Sequence, residues 1–159
     1  METTPIIVEQ IINAPVKRVW KALTDNDILK KWHFDIPGFR ALPGFSFQFY
    51  EEGENRQYLH VCRILNAVEN KQLSYSWRFN GYPGNSVVTF DLEEMQNGKT
   101  KVILTHEGVD TFSEDCSDPN MSPDVFEVGW IDKIKNLLKK SIEKEFDTQP
   151  ELQSQQVDI

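Results

Sequence analysis

Few residues in this chain could act as acid, base, nucleophile or metal ligand: three histidines (His33, His60, His106), two cysteines (Cys62, Cys116) and scattered carboxylates. The closest acid/base pair is His106-Glu107, at the end of "KVILTHEG" (101–108). A carboxylate that orients an imidazole must lie within hydrogen-bond reach of it. Val102, Leu104 and His106 alternate with other side chains, the pattern of a strand, and neighbouring strand residues point to opposite faces. The two groups therefore diverge, and no dyad is expected. Facing inward, His106 is either a polar handle for a ligand or a buried imidazole hydrogen-bonded near Gly108 or to the following helix, as buried polar groups usually are.

The other candidates are weaker. Glu114-Asp115 and Asp118 form an acidic loop without the alternating oxygen ligands and central glycine of a calcium site, so a solvated connection and no metal is the reading. Cys62 and Cys116 form neither a CxxC pair nor a disulfide framework and read as free thiols of a reducing cytoplasm. Arg40 is a candidate carboxylate partner, but a solvated arginine is the commoner outcome, and His33 has the same status. No motif calls for a cofactor.

With 159 residues the chain is sized for one domain with one core. Its formal charge of −8 repels phosphate backbones and anionic membrane surfaces, which argues against nucleic acid as a partner. No apolar run approaches the roughly 20 residues needed to span a bilayer, and METTPIIVEQ lacks the basic start of a signal peptide. A soluble cytoplasmic protein is expected, with no membrane insertion.

The elements that must position these residues follow from periodicity. "PIIVEQIIN" (5–13) is β-branched and short, a strand, and Pro15 suits the first turn of a helix. "VKRVWKALTDNDILKKWH" (16–33) carries Val19, Trp20 and Leu23 on one helical face, breaks near Asp25 and resumes with Leu29 and Trp32, giving two short helices. "HFDIPGFRALPG" (33–44) is irregular yet apolar. "FSFQFYEE" (45–52) alternates Phe45, Phe47 and Phe49 with polar residues, and further strands are expected over 58–68, 72–79, 86–95 and 99–107. Ser122-Pro123 then opens a helix to about Phe146, with Ile134, Leu138 and Ile142 as its apolar stripe flanked by Trp130, Ile131 and Leu137. Lys133, Lys135, Lys139 and Lys140 are expected to point away from that stripe. The polar segment 147–159 reads as a disordered tail to a single domain over 1–146.

Register fixes which face His106 occupies. A two-residue Asn97-Gly98 loop would set Phe90 opposite Thr105 and mix polar with apolar side chains on both faces. A three-residue Gln96-Asn97-Gly98 loop, with Gly98 left-handed, instead pairs Leu92 with Val102, Phe90 with Leu104 and Val88 with His106. It also pairs Glu93 with Lys101 and Thr89 with Thr105 on the outer face. Leu73, Tyr75, Trp77 and Phe79 share one face, so the inner surface is unusually aromatic. For 58–68 the faces Tyr58/His60/Cys62/Ile64 and Leu59/Val61/Arg63/Leu65 each carry a polar residue, and the pattern does not choose between them. The sum is α+β: about six antiparallel strands curved around one long C-terminal helix, a helix-grip arrangement.

"INAPVKRVWKALTD" (12–25), "LKKW" (29–32), the Leu73–Trp77 strand, "VVTFDLEE" (87–94), "GKTKVILTHEG" (98–108) and Gly129-Trp130 occur in an order that resembles the activator of heat-shock protein 90 ATPase homologue-like family of the START-like (Bet v 1-like, SRPBCC) superfamily. The resemblance implies a deep apolar cavity between sheet and C-terminal helix, which in related domains accepts hydrophobic ligands. Where the family usually has a double glycine before its second strand, this chain has Gly44-Phe45, which would narrow that cavity. The first expectation is a non-enzymatic domain holding a small hydrophobic molecule. The alternatives are a chaperone-interaction module, as the family name suggests, and a cyclase or hydrolase on the same scaffold. The candidate ligand contacts are Trp32, Phe34, Phe39, Phe47, Tyr75, Trp77, Tyr82, Phe90, His106 and Trp130, with Phe34, Phe39 and Tyr82 nearest the expected mouth.

Overall fold

Six runs of β-branched and aromatic residues pair into one antiparallel sheet in the computed structural model, which describes residues 4–53, 56–113 and 118–143. The strands are β1 (Ile6–Ile12), β2 (Ser46–Gly53), β3 (Arg56–Val68), β4 (Gln72–Phe79), β5 (Ser86–Glu94) and β6 (Thr100–Glu107), in spatial order β1-β6-β5-β4-β3-β2. Consecutive strands from β2 to β6 are neighbours, while β1 pairs with β6 and leaves β1 and β2 as the two edges. The expected tail over 147–159, the end of the helix at Phe146, and Glu114, Asp115 and Cys116 lie outside the described residues.

The β5–β6 turn forms as the pattern requires. Met95 N–H donates to the Lys99 carbonyl at 2.8 Å, so three residues close the loop. Asn97 and Gly98 both take left-handed backbone, at φ 64° and 72°. Val88 faces His106, Phe90 faces Leu104, Leu92 faces Val102 and Glu93 faces Lys101. Tertiary contact also decides the face of β3: Tyr58, His60, Cys62 and Ile64 are buried. His60 lies between Phe49 of β2 and Phe79 of β4, so the aromatic faces of both neighbours draw this row inward. A register shift between Ile64 and Asn66 leaves Leu65 bulged and nearly half exposed, a feature that bends a strand.

Helices α1 (Val16–Thr24) and α2 (Asn26–Trp32) are split at Asp25, whose extended backbone ends one helix while its side chain accepts the Asp27 N–H at 2.9 Å to start the next. Trp32 Nε1 donates to the Ala22 carbonyl at 2.9 Å and pins the two together. After α2 the irregular segment is tied down by Asn26, which accepts the Ile36 N–H and donates to Asp35, both at 2.7 Å.

The C-terminal helix begins as α3 (Pro123–Ile131), widens into a π-helical stretch (Asp132–Leu138) and stays helical to residue 143. Trp130, Ile134, Leu138 and Ile142 are all buried. Their four-residue steps would drift about 40° each around a regular α-helix. A wider turn absorbs that drift and keeps the row on the sheet. Only a glycine fits at 108, with φ 86° and a would-be Cβ 2.7 Å from the Asn85 carbonyl.

Candidate functional site

The cavity of about 180 Å³ lies between the sheet and the first two turns of the C-terminal helix. Tyr58 and His60 of β3, Trp77 and Phe79 of β4, and Met121, Val125, Phe126, Gly129 and Trp130 of the helical side form its walls. Polar groups reach it from Glu51, Asn120 and Lys133.

Lys133 corrects an expectation: it does not join Lys135, Lys139 and Lys140 on a solvated face. Its side chain is 15 % exposed, and its Nζ lies 3.4 Å from Glu51 Oε1 and 3.2 Å from His33 Nδ1. The ammonium also sits over Trp77 and Trp130, 5.8 and 5.3 Å from the ring centroids, within cation–π range. Burial pulls the Lys133 amine below the ordinary lysine range, and the Glu51 carboxylate partly offsets that shift.

Around this cation the polar groups are mutually supporting. Glu51 Oε2 lies 3.2 Å from His60 Nε2, and His60 Nδ1 lies 3.2 Å from the Tyr58 carbonyl. Burial would raise the Glu51 carboxyl, but its hydrogen bond to His60 and the charge of Lys133 prevail and hold it at about 2. His33, expected at the surface, is instead partly buried among rings, stacked on Trp32 at 4.8 Å and on Trp77 at 5.8 Å. Its Nδ1 faces the Lys133 donor, so its Nε2 carries the proton and donates to Tyr75 Oη at 3.0 Å. Burial, then Lys133 and His60, keep the His33 imidazole neutral.

His106 belongs to a second cluster behind the tryptophans. It is wholly buried, opposite in direction to the exposed Glu107. Trp130 Nε1 donates to its Nδ1 at 2.8 Å, its Nε2 donates to Ser86 Oγ at 2.7 Å, and Ser86 donates to the Trp77 carbonyl at 2.7 Å. Burial, with a smaller contribution from Lys133, holds this imidazole at about 3.

Of the residues singled out in the sequence, Trp77 and Trp130 line the cavity. Tyr75 and Phe90 are fully buried beyond them, with Trp32 edge-on to Phe90 at 6.1 Å. Phe34 and Phe39 of the irregular segment cover Phe47 at 5.1 and 5.2 Å and close the sheet on the β2 side. Tyr82 is partly buried outside the cavity lining, its hydroxyl 3.3 Å from Asp118, and Arg40 is exposed. Sequence reasoning passed over Glu51, although it continues the Phe45, Phe47, Phe49 alternation.

Each of the three histidines has both ring nitrogens engaged by protein partners, which leaves none free to take a proton from a ligand. Burial pushes the Cys62 thiol up, away from the reactive thiolate. Among the described residues no group of three His, Cys, Asp or Glu side chains could hold a metal ion, and no helix is long and apolar enough to cross a membrane.

Comparison with solved structures recovers the same architecture. Protein CV1439 from Chromobacterium violaceum superposes with a TM-score of 0.72 at 21% identity, covering 87% of this chain and 96% of that one. Protein MLL2253 from Mesorhizobium loti gives 0.69 at 22% identity over 89% of this chain and 98% of that one. DynU16, from the dynemicin biosynthetic locus, gives 0.67 at 17% identity over 87% of this chain and 47% of that one. No curated protein matches the chain. Residues 13–140 match the family described as activator of Hsp90 ATPase homolog 1-like protein, which covers most of the chain, so the protein belongs to that family.

Proposed function

We propose that the chain, as a single domain over 1–146, is a non-enzymatic binding protein that holds a small hydrophobic molecule between its sheet and its C-terminal helix. One observation carries the reading: a cavity of about 180 Å³ walled by Tyr58, Trp77, Phe79, Phe126 and Trp130 remains open where the helix crosses the sheet. Dry apolar walls with a few convergent polar groups are the usual make-up of a small-molecule site. The aromatic walls make aromatic compounds a reasonable ligand class to screen. A cytoplasmic setting suits this role. A cyclase or hydrolase on the same scaffold would need a free base, and the three histidines are all committed. Thermal-shift and native mass-spectrometry screening against lipids and aromatic compounds should give a raised Tm and a one-to-one complex for one class. Absence of any shift across a broad library would overturn the reading.

Family membership supports a second reading, a module that contacts a homologue of heat-shock protein 90. Co-precipitation followed by an ATPase assay tests it, and no binding at micromolar concentration would exclude it.

A further inference from the structure

The polar end of the cavity has unequal supplies of donors and acceptors. Lys133 carries three N–H donors but meets two polar partners among the described residues, Glu51 Oε1 and His33 Nδ1. Each oxygen of Glu51 already faces one donor, Lys133 on Oε1 and His60 on Oε2. On the same wall, Trp77 Nε1 is buried without any hydrogen-bond partner. Unmatched buried donors are costly, and they are rare enough in folded proteins to need an explanation. An acceptor atom brought in by a ligand would complete the Lys133 set.

Size and shape narrow the ligand further. A dry cavity of about 150 Å³ holds one benzene ring, and this one is about 180 Å³ with aromatic walls. We propose that Lys133 is the recognition residue for a one-ring aromatic molecule that carries an oxygen acceptor, carbonyl or carboxylate, directly on the ring. The ring stacks between the walls contributed by Trp77, Phe126 and Trp130, while the oxygen accepts the remaining Lys133 N–H. This specificity rests on the ligand-binding reading above and adds to it the group that orients the ligand.

The test is an NMR titration of the full chain with acetophenone, benzoate, ethylbenzene and benzylamine. Acetophenone or benzoate should bind at least fivefold tighter than ethylbenzene, and the order of those two separates a neutral from an anionic ligand. Lys133→Met should bring both down to the affinity of ethylbenzene and leave ethylbenzene unchanged. Glu51→Gln, which removes the counter-charge of Lys133, should tighten benzoate without affecting ethylbenzene, a change that a purely structural role for Lys133 would not give. Equal affinities for all four probes, a preference that survives Lys133→Met, or tightest binding of benzylamine would each overturn the inference while leaving the cavity reading intact. Saturation by none of the four would also overturn the inference, while the broad library screen decides the cavity reading separately.

Discussion

Two polar clusters flank the same pair of tryptophans, whose rings lie 5.5 Å apart. Behind the pair, His106, Ser86, Trp130 and the Trp77 carbonyl form a chain in which every donor meets an acceptor, all of it shut off from water. In front, Glu51 is 42 % exposed, Lys133 has a donor to spare, and the walls stand apart around a cavity. The first cluster resembles a structural hydrogen-bond network, which fixes a register and gains nothing from a guest. The second is left incompletely satisfied, as the proposed ligand site requires. The same side-chain types thus serve opposite ends according to whether their hydrogen bonds close.

Acid should strain the closed cluster most. The unfolded chain takes up a proton on His106 near pH 6.5, whereas the folded chain refuses it down to about 3. Stability is therefore fully present above pH 6.5 and falls as pH drops toward 3, by about 3 kcal/mol between pH 7 and pH 4 from this group alone. Glu51, at about 2 when folded and 4.5 otherwise, acts in the same direction below pH 4.5. Urea midpoints at pH 7, 5.5 and 4 should show the decline, and His106→Gln should flatten it; an equally steep decline in the variant would mean that His106 is not the sensor.

Next in size is Ser86→Ala, which leaves the His106 Nε2–H without its acceptor in a buried core and removes the hydroxyl bond to the Trp77 carbonyl. A loss of about 2 kcal/mol in urea unfolding is expected, with ligand affinity unchanged. A matching loss of affinity would mean that the two clusters are coupled. Lys133→Met should lower stability by about 1 kcal/mol at neutral pH, because it leaves the half-buried Glu51 carboxylate without the cation that helps hold it ionised. A rise in the urea midpoint would show instead that the cost of burying the ammonium outweighs the pair. The smallest effect is expected of Gly129→Ala. A Cβ there meets nothing within 4 Å, so the helix should gain about 0.5–1 kcal/mol. Because Gly129 lines the cavity, the added methyl should also weaken ligand binding, which pairs a raised Tm with a lowered affinity.

The closed cluster was partly legible in the sequence. Strand alternation and the three-residue loop place His106 inward opposite Val88, and a partner on the following helix is one of the outcomes the pattern allows; Trp130 supplies it. The open cluster was legible only in fragments. Glu51 continues the inner face of Phe45, Phe47 and Phe49, but a lone carboxylate at the end of an edge strand carries no local sign of a partner. Lys133 falls among four lysines whose spacing suggests a wet face, and it turns inward only where the helix widens and passes over Trp77. His33 follows α2 in a stretch without periodicity, so its stacking on Trp32 and Trp77 had no pattern to announce it.

The sequence by itself determined the strands, the two short helices, the hairpin register and the family, because each rests on local periodicity or on neighbours a few residues apart. The tertiary structure alone decided which row of β3 faces in, that a lysine and a glutamate from residues 133 and 51 meet beneath the helix, and that a cavity remains beside them. Those features depend on how a curved sheet and a widened helix fit together. Contact across 82 residues of chain leaves no periodic trace in either segment.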